Sequence, residues 1–291
     1  MNELIQIATT QAEVPRTRVS QLLGIGRATF YRHLHALSPV SPAERDVVVR
    51  DLIQHIALEM PRYGYRHITA QLHREHVYVN HKRVLRLMRE DNLLCLRTKP
   101  FVHTTDSDHG FPIYPSLVPA LEVAGLNQLW IADITYVRLR GEFIYLAVIL
   151  DAFSRRCIGW CLEHHLQTEL TLAALRMALA SRAVQPGLVH HSDRGVQYAA
   201  HVYTDLLTAH GIQISMSRRG NPYDNAQAES FMKTLKYEEV HINDYETLEE
   251  ARASIGHFLE QVYNHKRLHS ALGYCPPAEF EATLQIPPYD A

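Results

Sequence analysis

The most constraining feature of the sequence is a nearly all-apolar stretch from Glu142 to Leu150. It is too short to span a membrane and is typical of a strand that is buried on both faces. A strand is also predicted before it, at Leu129–Val137, and another after it, at Cys157–Leu162. Helices and short strands then alternate, so this half of the chain is predicted to form an α/β fold, a mixed sheet with helices on its faces.

Size and composition are those of an ordinary globular protein. The chain has 291 residues, enough for about two domains. Its four cysteines lie far apart and form no CxxC pair, which argues against a zinc site of common spacing and against a disulfide scaffold. The first residues lack the basic and apolar segments of a secretory signal, so we expect a cytoplasmic protein.

Charge is divided unevenly along the chain. Residues 1–108 contain 15 Lys and Arg against 11 Asp and Glu, whereas residues 109–291 contain 14 against 20. A basic front half could bind phosphates and an acidic rear half could bind cations. Chance variation among solvated surface residues would give similar counts, so charge alone does not choose between these interpretations.

Residues 1–37 have the form of a helix-turn-helix. Gly24-Ile25-Gly26 separates two short helical segments. The second segment would present Arg27, Thr29 and Arg32 to a DNA groove. An ordinary helical hairpin is the alternative interpretation.

Residues 43–96 are predicted to form a second helical, helix-turn-helix-like DNA-binding domain. Its first helix would turn Val47, Leu52 and Ile56 inward. The proline-containing residues 97–118 are predicted to be the linker to the rear domain.

The last helix of this front domain is strongly basic. Asn80 is placed to cap a helix over 81–91. Lys82, Arg83 and Arg86 would point outward from it, as expected of a helix that faces DNA. A solvated basic helix face is the alternative.

Three carboxylates carry the candidate chemistry of the rear half. Asp133 lies within an apolar strand, where an ionised carboxylate is costly unless a cation meets it. Asp193 follows the fourth predicted strand, at the carboxyl end where open α/β sheets place their sites. Glu229 lies on a helix, on the same side as Lys233 and Lys236. Taken alone, an ion pair between Glu229 and Lys233 is the simpler interpretation of that helix.

Other polar residues flank these carboxylates. Arg218 and Arg219, in a loop before the Glu229 helix, are candidate DNA contacts or solvated turn residues. His191 could contact substrate or orient its loop, and the sequence leaves both open. Asp151 is predicted to cap the turn toward Ser154 rather than bind metal.

The spacing of these residues resembles a known motif. Thirty-five residues separate Asp193 from Glu229, and Lys236 follows Glu229 by seven. This resembles the DDE motif of retroviral integrases and bacterial insertion-sequence transposases. The surrounding segments resemble the second-frame (OrfB) transposases of the third insertion-sequence family over nearly the whole chain. They include Tyr63-Gly64-Tyr65-Arg66, Asp133-Ile134-Thr135-Tyr136, His191-Ser192-Asp193, Asp224-Asn225-Ala226, Glu229-Ser230-Phe231 and Leu272-Gly273-Tyr274.

The resemblance implies a ribonuclease-H-like, integrase-type catalytic domain over 119–283. Asp133, Asp193 and Glu229 would match the three metal ligands of that family. They would bind two Mg²⁺ ions, with Mn²⁺ as a substitute, for 3′-end cleavage and strand transfer of DNA. No Ser, Cys or Tyr nucleophile is needed, and we expect Tyr136 to serve packing or substrate positioning.

The partners implied are the terminal inverted repeats of the element and a target DNA. Two DNA ends must be held together, so we expect a homo-oligomer, at least a dimer, and an upstream first-frame protein is a further candidate partner. The alternative function is a non-catalytic, sequence-specific DNA-binding regulator. A general ribonuclease-H-type nuclease, which cuts without joining strands, is a third hypothesis.

Overall fold

The structure is a computed structural model that describes residues 42–91, 93, 111–218 and 225–284, with isolated positions 21, 24, 26 and 29. The predicted helix-turn-helix of residues 1–37 therefore lies almost wholly outside the described residues. So does much of the predicted linker. Each helix in the described ranges is either too short or too polar to span a membrane.

Three helices form the front domain. They are α1 (Pro42–Glu59), α2 (Tyr65–Arg74) and α3 (His81–Glu90). The predicted cap is confirmed, because the Asn80 side chain accepts a hydrogen bond from the backbone N–H of Lys82 at 2.8 Å. The prediction that Val47 points inward is wrong, since its side chain is 64% exposed. The inward row of α1 consists of Val49, Ile53 and Ile56.

A five-stranded mixed sheet forms the centre of the rear domain. Its strands are β1 (Leu129–Arg138), β2 (Phe143–Asp151), β3 (Cys157–Glu163), β4 (Val189–Ser192) and β5 (Gln213–Met216). They lie in the order β3-β2-β1-β4-β5, antiparallel for the first three and parallel from β1 to β5. The apolar β2 is buried along nearly its whole length, as predicted. This is the mixed α/β sheet of a ribonuclease-H-like core.

Helices cover both faces of this sheet. They are α4 (Thr168–Ser181), α5 (Val196–Ala199), α6 (His201–Ala209), α7 (Ala226–Leu235), α8 (Leu248–His257) and α9 (Pro277–Leu284). One face packs against α4 to α6 around Trp130 and Ala132. The other packs against α7 and α8 around Val137 and Val148.

Two helices of the rear domain are followed by π-helical turns. The α7 helix continues beyond Leu235 as a π-helical turn, Lys236–Val240, and α8 continues as a second one, Phe258–Tyr263. The helices α5 and α6 follow each other directly and meet at Ala200. A helical period does not reveal these π turns, because each is a single turn and is too short to set a period of its own.

The front domain packs against the end of the rear domain. Leu268, which is 1% exposed, lies within the apolar cluster of the front domain. The Tyr63 hydroxyl accepts a hydrogen bond from the backbone N–H of Leu268 at 2.6 Å. Lys266 forms an ion pair with Glu59, and Arg74 forms one with Glu279. These contacts join segments about two hundred residues apart in the sequence.

Candidate active site

Asp133 and Asp193 follow matching positions of two neighbouring parallel strands. β1 and β4 pair with Ile131 opposite His191, and each carboxylate lies two residues further along its chain. Ile131 and Val189 line one small apolar cluster. The two-residue period of β1 puts Asp133 on that same face, and the charge of Asp193, one residue beyond the end of β4, acts on it. Adjacent strands lie about 5 Å apart, so the sheet itself brings the two acids near each other.

The α7 helix carries Glu229 to the same face. Ala228 belongs to the apolar cluster that contains Ile131, so the start of α7 lies across the sheet beside Asp133. Ala228 and Phe231 are buried, whereas Glu229 is exposed at the rim. The prediction that one side of this helix packs and the other presents a carboxylate is confirmed.

Electrostatics links the three carboxylates. The pKa of Asp133 is raised to about 8, chiefly because burial disfavours its charged form and next because of the Asp193 carboxylate. Glu229 raises it further, whereas the backbone N–H of Ile134 and the ammonium of Lys236 lower it. That N–H donates to the Asp133 side chain at 2.9 Å. Asp133 therefore holds a proton at neutral pH when no metal ion is bound.

The donor set suits a hard divalent cation in its chemistry. All three groups are carboxyl groups, and a cation between Asp133 and Asp193 would offset the repulsion that opposes ionisation of Asp133. Among the residues that the structure describes, however, no three His, Cys, Asp or Glu side chains are grouped closely enough to hold a metal ion. Asp133 and Asp193 are the adjacent pair, and Glu229 acts on Asp133 through its charge.

The two lysines of the α7 segment differ in their surroundings. Lys233 is exposed, whereas Lys236 is half-buried with its Nζ 4.3 Å from the ring centroid of Tyr136. Burial lowers the pKa of Lys236, and the charge of Asp133 opposes that shift. Lys236 thus lies on the same side as the carboxylates. The helical angle predicted this position for Lys233 as well as for Lys236.

His191 orients the loop that follows β5. Its ring is buried, with Nδ1 2.8 Å from the Ser215 hydroxyl and Nε2 3.0 Å from the Ser217 hydroxyl. Arg194 donates to the backbone carbonyl of Ser217 at 2.6 Å. Of the alternatives for His191, the contacts favour loop orientation. Arg218, which comes next, is exposed, and Arg219 lies outside the described residues.

The buried Asp151 has the predicted turn-capping role. Its Oδ1 accepts hydrogen bonds from the backbone N–H groups of Phe153 and Ser154, both at 3.0 Å. Its Oδ2 accepts one from the backbone N–H of Asn127 at 2.8 Å. This carboxylate is therefore occupied by the backbone around the turn.

The basic residues of α3 are partly engaged within the protein. Arg83 and Arg86 both bind the carboxylate of Asp46 on α1, at 2.7 and 2.8 Å. Arg86 also binds Glu90 at 2.8 Å. Lys82 is exposed. Of the candidates in residues 1–37, Arg27 and Arg32 lie outside the described residues. Thr29 is one of the isolated positions that the structure describes.

Sequence reasoning missed a clamp around the π turn after Lys236. Arg62, in the turn between α1 and α2, donates through Nε to the backbone carbonyl of Tyr237 at 3.1 Å. Arg267 binds the Glu238 carboxylate with two hydrogen bonds of 2.8 Å. No local pattern could reveal these contacts, because Arg62 lies 175 residues before Tyr237.

Family models match three parts of the chain. Two integrase core domain models match residues 124–222 and 210–277, and an HTH-like domain model matches residues 44–101. Together with the sheet and its carboxylates, they define the protein as a DDE polynucleotidyl transferase, with an HTH-like domain in front of an integrase catalytic domain.

Full-length relatives narrow this class. The 31 kDa protein of insertion element IS600 from Shigella sonnei is 36% identical, covering 89% of this chain and 96% of that protein. The transposase InsF for insertion sequence IS3A from Escherichia coli is 32% identical, covering 93% of this chain and 95% of that protein. The chain belongs to the IS3 family of insertion-sequence transposases, which confirms the resemblance identified in the sequence.

Solved structures include a more distant likeness. The catalytic core domain of BIV integrase aligns with a TM-score of 0.42 and 21% identity, covering 55% of this chain and 96% of that one. The family assignment depends on the sequence relatives and on the family models.

Proposed function

We propose that this transposase cleaves the 3′ ends of its insertion sequence and joins them to target DNA through Asp133, Asp193 and Glu229. The integrase-type core indicates dependence on a divalent metal. We infer that the metal is Mg²⁺, as two ions, with Mn²⁺ as a substitute. The three carboxylates would be the protein ligands of those ions.

One observation carries this proposal. Asp133, in the middle of β1, and Asp193, just beyond the end of β4, lie on neighbouring parallel strands, and burial together with the neighbouring carboxylates raises the pKa of Asp133 to about 8. A fold that serves only to bind DNA gains nothing from clustered acids, which repel both one another and phosphate. A cation would offset that repulsion, and Glu229, exposed on α7, is the third ligand that we propose.

The residues have separate tasks in this mechanism. When bound, two divalent cations activate the attacking oxygen and stabilise the leaving oxygen of the phosphodiester. Asp133 must lose its proton before it can act as a ligand. Lys236, held beside Tyr136, would bind a phosphate of the DNA end, and Lys233 would contact the backbone further out.

The HTH-like domain indicates that the protein binds DNA. We propose that Lys82, Arg83 and Arg86 of α3 contact the terminal inverted repeats, together with Arg27, Thr29 and Arg32 of the first segment. Arg218 and Arg219 would contact DNA near the carboxylates. Because two ends must be joined in one event, we propose at least a dimer, acting in the cytoplasm with or without a first-frame partner.

The experiment compares wild type with Asp133→Asn and Asp193→Asn on labelled DNA that carries an element end. Wild type should give a nicked end and a joined product only with Mg²⁺ or Mn²⁺. Each variant should lose both products while binding the same DNA with unchanged affinity. Wild-type joining by either variant would contradict the ligand assignment. Binding without any metal-dependent product would favour a regulator, and cutting without joining would favour a nuclease.

A further inference from the structure

The turn that follows Lys236 is held by both domains. Its π geometry is closed by the backbone N–H of His241, which donates to the carbonyl of Lys236 at 2.8 Å. The next carbonyl, that of Tyr237, accepts a hydrogen bond from Arg62 of the front domain. The next side chain, that of Glu238, is held by Arg267. Tyr237 and Glu238 are therefore held by groups outside the π turn, and Lys236 directly precedes them.

The Arg267 contact is itself linked to the front domain. Arg267 and Glu238 are largely buried, with side chains 13% and 14% exposed. The following residue, Leu268, is inserted into the apolar cluster of the front domain, and its N–H donates to Tyr63. Since Tyr63 directly follows Arg62, one short turn of the front domain supports the π turn directly and through Leu268.

Lys236 is the residue that this arrangement places. Its ammonium lies over the Tyr136 ring on β1, the strand that carries Asp133. A lysine side chain has several rotatable bonds, so it reaches one position reproducibly only if its backbone is fixed. π turns inside helices occur frequently at functional sites, where they re-aim a residue.

We propose that the front domain is a positioning element of the catalytic site, in which Arg62 holds the Tyr237 carbonyl and thereby sets Lys236 beside the carboxylates. The front domain then has a second task besides binding DNA, because the site is completed only when this domain is docked. Arg62 is a positioning residue, since it acts through the backbone of the turn and not on the reacting atoms. The inference depends on the proposed function only for the role of Lys236.

The test uses the full-length protein with three substitutions. Arg62→Ala removes the donor, and Arg62→Lys keeps a cation that can donate to the same carbonyl. Arg74→Ala is the matched control, because Arg74 also crosses to the rear domain but binds Glu279 on α9 instead of the π turn. For each protein, the affinity for element-end DNA, the strand-transfer rate at saturating DNA and amide exchange at His241 are measured.

We expect Arg62→Ala to lower the rate at saturating DNA about tenfold, a loss typical of one hydrogen bond from a charged donor. Its DNA affinity should stay within twofold of wild type, and amide exchange at His241 should become faster. Arg62→Lys should recover most of the rate, and Arg74→Ala should resemble wild type.

Three results would overturn the inference. They are unchanged exchange at His241 in Arg62→Ala, an equal loss of rate in Arg74→Ala, and a loss of affinity in Arg62→Ala without a loss of rate. If wild type gives no metal-dependent product, the proposed function fails. The exchange measurement still decides whether Arg62 positions the turn.

Discussion

The helices α3 and α7 each have ten residues and carry cations that the sequence marks as DNA contacts, yet their surroundings differ. In α3, Arg83 and Arg86 are bound to Asp46 of the same domain. In α7, Lys233 points to solvent, and Lys236, just beyond the helix, lies beside the acidic face of the sheet. The Lys and Arg residues in the sequence therefore show which helices could bind phosphate. The contacts in the folded protein show which of these side chains are available to bind it.

The largest expected effect is on the rate of strand transfer, and it is tested by replacing Glu with Gln in each of the two helices. Glu229→Gln on α7 should reduce strand transfer about a thousandfold, because a metal ligand supplies several kcal/mol of transition-state stabilisation. Glu90→Gln on α3 weakens the exposed ion pairs of Glu90 with Arg50 and Arg86 and should leave the rate within twofold. Product formation on element-end DNA at saturating Mg²⁺ measures both. Equal rates in the two variants would remove Glu229 from the catalytic site.

The next prediction concerns the acidic face that α7 covers. The folded protein keeps a proton on Asp133 up to about pH 8, whereas the unfolded chain releases it near the ordinary value of 3.8. Cation binding must displace that proton, so Mg²⁺ affinity should rise roughly tenfold per pH unit from pH 6 to 8. Calorimetric titration with Mg²⁺ in buffers of different ionisation enthalpy measures affinity and proton release together.

The proton on Asp133 also predicts how stability depends on pH, which serves as a control. Without metal, the free energy of unfolding should fall as the pH rises from about 4 to 8, because only the folded state still holds the proton. Asp133→Asn should flatten this dependence in urea unfolding at several pH values. An Mg²⁺ affinity that is constant from pH 6 to 8 would show that Asp133 is not a ligand.

A smaller effect tests whether the paired arginines of α3 reach DNA. Asp46→Asn removes the carboxylate that Arg83 and Arg86 share. If α3 lies on DNA, affinity should rise about threefold, the scale of an exposed ion pair. The salt dependence of binding should also become steeper, because two more cations meet phosphate. Fluorescence anisotropy at several salt concentrations measures both, and no change in either would place α3 away from the DNA.

The smallest expected effect is on the free energy of unfolding, and it is tested at the N-terminal residues of α3 and α7. Asn80→Ala should destabilise the front domain by about 1 kcal/mol, because Asn80 caps α3 through its side chain. Asn225 occupies the same position on α7 but makes no side-chain cap bond within the described residues. Asn225→Ala should therefore leave the free energy of unfolding nearly unchanged. Urea unfolding of both variants tests this, and equal losses would contradict it.

Much of the fold could be predicted because its signals are local. The apolar run of β2 requires burial on both faces, and the Asn80 cap requires only the next two residues. Within the predicted inward row of α1, only Val47 is wrong. Val47 to Val49 are three apolar residues in succession, so periodicity could not tell which of them packs inward. Contact with α2 and α3 chose Val49.

The sequence by itself determined the acidic residue within β1, the one that follows β4, the helix that presents Glu229 and the family to which the chain belongs. Only the tertiary structure decided what each charge meets. Asp46 lies 37 residues from Arg83, and Arg62 lies 175 residues from the carbonyl that it holds. Such contacts depend on which faces the packed cores bring together, and a half-buried cation binds the acceptor that the fold supplies there.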